Sequence, residues 1–219
     1  MRHNAGGPFR CLCLVPSPPL LQFRELRYER NDRPLFDAVS GEVHGSEILQ
    51  IAGANGAGKT TLLRILATIL TPATGALHWR GAALPEARVR YLADLVFLGH
   101  ATGLKPGLSP RENLCWLAGL FPQRNNVEVA LAAVGLAEWI DTPCAQLSAG
   151  MQRRVALARL ALTDAALWIL DEPLTAIDRD GVALVEAMFQ RHLQAGGAII
   201  FSSHQALDLP GVKRLALGA

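Results

Sequence analysis

One glycine-rich stretch that ends in a lysine and two threonines has the composition of a phosphate-binding loop. It consists of Gly53, Ala54, Asn55, Gly56, Ala57, Gly58, Lys59, Thr60 and Thr61. Glycines let the backbone turn tightly, so that successive N–H groups point at one anion. At this spacing Lys59 is expected to reach the β- and γ-phosphates of a nucleotide, and the Thr60 hydroxyl to ligate Mg²⁺. Thr61 would add a phosphate contact at the N-terminus of the following helix, where the helix dipole favours anions.

Two adjacent carboxylates follow the apolar run at residues 167–170 and precede Pro173. The run predicts a buried strand, and ligands of parallel sheets lie beyond the carboxyl ends of their strands. We therefore predict that Asp171 holds Mg²⁺ through water and that Glu172 is the general base for hydrolysis. The pair could instead cap a helix or lie in a solvated turn, but the strand before it and the proline after it favour the catalytic interpretation.

A histidine follows a second apolar run, at residues 198–201, with Ser202 and Ser203 between them. At the carboxyl end of a buried strand, His204 could donate a hydrogen bond to a γ-phosphate and so sense its presence. A lone histidine after a strand is more often a cap or a surface residue. Its place beside the other motifs favours the sensing role.

The segment LSAGMQRRVALARL, residues 147–160, begins with residues that start a helix poorly and continues with strong helix formers. Such an opening is explained if Ser148, Ala149 and Gly150 present hydroxyl and N–H groups to a phosphate at a helix N-terminus. Small residues would permit that close approach. Met151 stands where a polar residue is expected, at what we predict to be the least demanding position.

Strands and helices must bring these motifs to one place. The apolar residues Ile48 to Ala52 predict a buried strand that leads into the glycine-rich loop. After the loop, apolar residues at helical spacing predict a helix to about Leu70. We predict an α/β fold of the P-loop NTPase class, with a strand-rich nucleotide-binding lobe and a helical subdomain. Residues 22–98 and 147–219 would form the core and residues 99–146 the helical subdomain, where Ser109 and Pro110 mark a helix start. Residues 1–21 are predicted to be a disordered leader, or alternatively an over-long predicted start of the chain.

Composition limits the function classes. The 219 residues are 50% hydrophobic and 18% charged with a net charge of +2, which describes a globular protein without a general basic face for nucleic acid. No apolar tract runs uninterrupted for the roughly 18 to 20 residues that span a bilayer. The four cysteines show neither a disulfide framework nor paired metal-ligand spacing, which favours a reducing cytoplasm.

The four motifs, in this order and spacing, resemble those of an ABC-transporter ATPase subunit across nearly all of residues 22–219. Stretches such as FLGHATGLKPGLSPRENL are also similar to the haem-exporter ATPase of the bacterial cytochrome c maturation system. The resemblance implies an ATP hydrolase that uses ATP and Mg²⁺ at the cytoplasmic face of the inner membrane. Its partners would be integral membrane permease subunits, and haem would be handled only through them.

The resemblance also implies a homodimer in which two copies enclose two ATP molecules. Ser148 and Gly150 would contact the γ-phosphate bound to the other protomer, and Asp178 would lie in the loop that crosses the interface. His204 would be the switch histidine. The region from Gly99 through Trp116 would form the lever loop and the groove for a permease helix.

Four positions depart from the family pattern. His100 occupies the lever-loop position that is usually glutamine, with Ala101 after it. Met151 departs from the family pattern in residues 147–160, the signature segment. No aromatic residue stands at the expected adenine-stacking position: Tyr28 is the closest ring, and the guanidinium of Arg30 could lie on the adenine instead. Two alternative functions remain compatible with the sequence: the ATPase of another ABC exporter or importer, and a slowly hydrolysing, nucleotide-gated binding module.

Overall fold

Two β-sheets of different kinds lie in the computed structural model, which describes residues 18–31, 33–119, 126–204, 207 and 209–218. The antiparallel sheet consists of β1 (Leu21–Arg30), β2 (Arg33–Val43), β4 (Thr74–Trp79) and β5 (Ala82–Ala83), in the order β2-β1-β4-β5. The parallel sheet consists of β3 (Ile48–Ala52), β6 (Leu95–Leu98), β7 (Leu167–Asp171), β8 (Ala198–Ser202) and β9 (Lys213–Ala216), in the order β6-β7-β8-β3-β9. The predicted α/β class is confirmed.

Six α-helices connect the strands of the described ranges. They are α1 (Lys59–Leu66), α2 (Leu84–Ala93), α3 (Pro110–Ala118), α4 (Val127–Ala133), α5 (Ala149–Ala158) and α6 (Arg179–Gln194). The predicted extension of α1 to Leu70 is wrong, because Ala67 caps the helix and Thr68 turns the backbone out of it with a φ of 57°. The predicted strand at Ile48–Ala52 is confirmed as β3.

The parallel sheet is covered on both faces. Every residue of β7 and β8 is buried. Leu167 and Ile169 pack into the apolar cluster that contains α1, whereas Trp168 and Leu170 pack into the cluster that contains α4, α5 and α6. Since apolar side chains fill both faces, the polar residues of these strands collect at the carboxyl edge of the sheet.

The segment 99–146 contains α3 and α4. Ser109 caps α3 as predicted: its hydroxyl accepts from the backbone N–H of Glu112, and the Glu112 carboxylate accepts in return from the N–H of Ser109. The division of the chain into core and helical subdomain stays a prediction. Of the leader predicted at residues 1–21, the first seventeen lie outside the described residues, and Leu21 is already a buried residue of β1. Within the described ranges no helix has the length and apolarity to cross a membrane.

Candidate functional site

The glycine-rich loop leaves β3 and closes around the start of α1. Lys59, the first residue of α1, is only 8% exposed, and its Nζ donates to the carbonyl oxygens of Gly53 (2.8 Å) and Ala54 (3.2 Å). Gly58 has a φ of 95°, and an added Cβ would lie 2.9 Å from the Phe36 ring and 3.0 Å from Leu35. Only glycine fits there without strain, in keeping with the tight turn predicted for the glycines of this loop.

Asp171 meets the loop at the carboxyl end of β7. The residue is 2% exposed, and its Oδ1 accepts from the hydroxyls of Thr60 (3.1 Å) and Ser202 (2.8 Å). Parallel pairing of β7 with β8 places Asp171 opposite Ser202. The two predicted metal ligands, Thr60 and Asp171, therefore lie side by side and supply a hydroxyl and a carboxylate, the oxygen donors that suit Mg²⁺.

Glu172 continues from this point in an unusual backbone conformation. Its φ of 50° lies in the left-handed region, which costs a non-glycine residue about 1 to 3 kcal/mol and persists only where neighbours hold it. The Glu172 N–H donates to the Ser202 hydroxyl (3.0 Å). Its carboxylate Oε1 lies 3.5 Å from His204 Nε2, and the two side chains are 17% and 55% exposed. The predicted base and the predicted phosphate sensor are thus neighbours.

One cavity, of about 300 Å³, joins these groups. The residues that line it are Arg30, Leu35, Asn55, Gly56, Gly58, Lys59, Thr60, Thr61, Glu172 and His204. A larger cavity of about 690 Å³ includes residues that precede β7 and β8, at the opposite edge of the sheet, and none of the predicted site residues lines it. We assign the site to the smaller cavity because the basic loop, the carboxylate and the histidine converge there.

The predicted adenine-stacking residue Tyr28 is not brought to this cavity. Its ring packs against Phe36, with centroids 6.3 Å apart and planes inclined by 29°. Arg30, the alternative, lines the cavity, and together with Leu35 it also lines an adjoining cavity of about 410 Å³. Of the two candidates, only Arg30 lines the same cavity as the phosphate loop.

Gly53, Ala54 and Ala57 of the loop and the neighbouring Asp171 are not among the residues that line the cavity, and four predicted site residues from other segments do not line it either. Ser148 caps α5, its hydroxyl accepting from the Met151 N–H (3.2 Å), and Asp178 caps α6, its carboxylate accepting from the Gly181 N–H (2.9 Å). Ser148, Asp178 and His100 are exposed, and Gly150 is half-buried. Their roles toward a second protomer or a membrane subunit stay predictions, and the three exposed side chains are open to such a contact.

Packing within the same chain also requires a glycine at position 150. A Cβ at this position would fall on the carbonyl oxygen of Ala176, closer than any real Cβ contact. Ala176 itself has a left-handed φ of 65°. The small residue predicted to admit a partner's phosphate therefore already serves the packing of α5 against the loop before α6.

Two residues with site contacts were not identified from the sequence. One is Ser202, which ties Asp171 to the Glu172 amide. The other is Arg153 on α5, which is 4% exposed and whose pKa is lowered by burial. Its guanidinium donates to the carbonyl oxygens of Gly99 (2.9 Å), His100 (3.0 Å), Asp171 (2.6 Å), Glu172 (2.8 Å) and Pro173 (3.3 Å).

Comparisons with known proteins agree with the geometry. The family model described as ABC transporter matches residues 36–175. A cytochrome c biogenesis ATP-binding export protein CcmA from Hahella chejuensis is 47% identical, with 92% of this chain and 97% of that protein covered. Its namesake from Vibrio cholerae is also 47% identical, with coverage of 91% and 99%.

Solved structures share the fold. A putative ABC transporter ATP-binding protein from Pyrococcus furiosus superposes with a TM-score of 0.76 at 27% identity, covering 90% of this chain and 96% of that one. The match to the family model and the identity to full-length relatives confirm the resemblance that the four motifs carried. The chain belongs to the ABC transporter family, as one of its ATP-binding subunits.

Proposed function

We propose that this chain hydrolyses ATP to drive an export step in cytochrome c biogenesis, the haem exporter of that system being the specific assignment. The observation that carries the hydrolytic part is the convergence of Lys59, Glu172 and His204 on one cavity beside the Thr60–Asp171 pair. The names of the relatives, ATP-binding export proteins of cytochrome c biogenesis, support the choice of pathway. Haem would be handled by the membrane partners.

The reaction is attack of water on the γ-phosphorus, with cleavage of the bond to the β-phosphate oxygen. Glu172 accepts the water proton, and its 17% exposure leaves the carboxylate reachable from the cavity. Lys59 and the loop N–H groups hold the β- and γ-phosphates, while His204 donates to a γ-phosphate oxygen. Thr60 and Asp171 would hold Mg²⁺, which when bound supplies positive charge against the developing negative charge on the phosphate oxygens.

Exposed residues support the proposed partners. Two copies would enclose two ATP molecules, with the exposed Ser148 and Asp178 of each facing the other. The segment from Gly99 to Trp116 would receive a permease subunit at the cytoplasmic face of the inner membrane. Trp116 is 55% exposed, and Lys105 Nζ lies 4.4 Å from the centroid of its ring, so this segment offers an aromatic surface with a positive charge.

Replacement of the proposed base tests the function. Glu172→Gln removes the proton acceptor but keeps the size of the side chain, so we expect ATP binding to persist and turnover to fall by about 10² to 10⁴. Glu86→Gln, which alters an exposed carboxylate in the first turn of α2, is the matched control and should keep the rate. ATP affinity by titration and phosphate release at saturating ATP give the two readouts. Near-normal hydrolysis by Glu172→Gln would refute the assignment.

A further inference from the structure

All three guanidinium nitrogens of Arg153 donate hydrogen bonds to main-chain carbonyl oxygens. The group has five N–H donors, and Nε, Nη1 and Nη2 make one, two and two hydrogen bonds to carbonyl oxygens. Two of the acceptors belong to the turn after β6, at residues 99 and 100. The other three belong to the last residue of β7 and the two that follow it, at 171 to 173. One buried side chain therefore joins two turns that are more than seventy positions apart in the sequence.

The turn at residues 171–173 holds the proposed base. Glu172 has a left-handed φ of 50°, and neighbouring groups have to maintain that conformation. Its N–H is held by Ser202, and its carbonyl oxygen, with those of the residues on either side, is held by Arg153. The direction of the Glu172 carboxylate follows from this backbone conformation, because a change in φ rotates the side chain about the main chain.

We propose that Arg153 is a positioning residue for hydrolysis: it fastens the turn at Gly99 and His100 to the turn at Asp171 to Pro173 and so holds Glu172 toward the attacking water. This inference rests on the proposed function, in which Glu172 is the base. The turn at residues 99–100 opens the segment proposed to receive the permease. Arg153 thus gives that segment a direct mechanical connection to the base.

The neighbouring arginine supplies a matched control. Arg154 lies on the same helix, and its Nη1 donates to the carbonyl oxygen of Val134 (3.1 Å), away from both turns. Arg153→Met and Arg154→Met remove the same group from adjacent positions. If Arg153 only stabilised the fold, the two variants would differ in free energy of unfolding and not in the way that turnover responds.

Steady-state hydrolysis separates the roles. For Arg153→Met we expect kcat to fall about 10- to 100-fold with the KM for ATP within about twofold, since a misplaced base slows the chemical step without weakening nucleotide binding. Arg154→Met should keep kcat within about twofold. In a Glu172→Gln background, Arg153→Met should cause no further loss, because no base is left to position. A kcat of Arg153→Met equal to that of Arg154→Met, or an equal loss in both backgrounds, would overturn the inference.

Arg153→Lys covers the case in which Arg153→Met does not fold. Lysine keeps the charge but offers three donors from one point, so it cannot span both turns. We expect an intermediate kcat and faster amide exchange in residues 98–102 and 171–176. Wild-type kcat with wild-type exchange would overturn the inference.

Two different results distinguish a failure of the proposed function from a failure of the positioning role. Near-normal hydrolysis by Glu172→Gln would remove the proposed function, and the positioning role with it. An inactive Glu172→Gln together with fully active Arg153 variants would leave the proposed function standing and remove only the positioning role.

Discussion

Ser202 makes two hydrogen bonds that replacement by alanine would break together. Its hydroxyl donates to Asp171 Oδ1 (2.8 Å) and accepts from the Glu172 N–H (3.0 Å), and the residue is fully buried. The Ser202→Ala variant keeps the strand and removes one oxygen. The Glu172 N–H then loses its partner, and the Asp171 carboxylate, which is 2% exposed, keeps only the Thr60 hydroxyl among these contacts.

The expected loss of stability follows from the kinds of bond. A hydrogen bond to a charged group contributes about 1.5 to 3 kcal/mol, and a neutral one about 1 kcal/mol. Their sum predicts that Ser202→Ala lowers the free energy of unfolding by about 3 kcal/mol. In a domain of this size that corresponds to a decrease of about 6 to 12 °C in Tm.

Chemical denaturation of the purified protein measures this loss. Ser40→Ala is the control, because the Ser40 hydroxyl accepts a single hydrogen bond from the Glu25 N–H (2.8 Å) on an exposed strand. We expect that variant to lose less than about 1 kcal/mol, in keeping with an exposed neutral bond. If Ser202→Ala lost no more stability than Ser40→Ala, the Asp171 carboxylate and the Glu172 amide would not depend on Ser202, and the prediction would be refuted.

Two further predictions concern acid stability and assembly. Burial lowers the pKa of His192, whose ring stacks on Trp168 at 3.7 Å, to about 4 from its usual 6.5. Below pH 6.5 His192 is therefore protonated in the unfolded chain, while in the folded chain it stays neutral down to about pH 4. The free energy of unfolding should fall by about 3 kcal/mol between pH 6.5 and 4. His192→Phe should flatten that part of the unfolding curve, and an unchanged acid loss would contradict it. In a Glu172→Gln background, Ser148→Arg should abolish ATP-dependent dimerisation, because a bulky side chain would occupy the proposed phosphate contact. Light scattering measures the dimer, and dimers that persist in this variant would argue against the interface.

Short-range signals in the sequence were enough to predict the centre of the site. The loop from Gly53 to Thr61 carries its own geometry, because glycine positions and the strand before it determine the backbone locally. Asp171 and His204 could be placed because each follows an apolar run long enough to be a buried strand. The structure places most of the loop and His204 around one cavity, and Asp171 beside it, bonded to the Thr60 hydroxyl.

The contacts of Ser202 and Arg153 depend on information that no short stretch contains. Ser202 matters because the register of β7 and β8 sets it opposite Asp171, and register is a property of the sheet. The partners of Arg153 are carbonyl oxygens, which every residue has, so side-chain types give no signal of the contact. Within its own segment Arg153 is one of two adjacent arginines on a helix, where a solvated position would be the ordinary expectation.

Ser148 shows how one residue can serve both the helix and a ligand. A hydroxyl has one donor and two acceptor sites, and capping uses only an acceptor, since the Met151 N–H donates to the oxygen. The hydroxyl proton stays available for an anion at the exposed end of α5. Residue 151 takes part in the cap through its backbone N–H, while its side chain packs, partly buried, against the apolar cluster around α5. The polar group that the signature segment lacks at this position is therefore not needed for the cap, and an apolar side chain there has a packing role of its own.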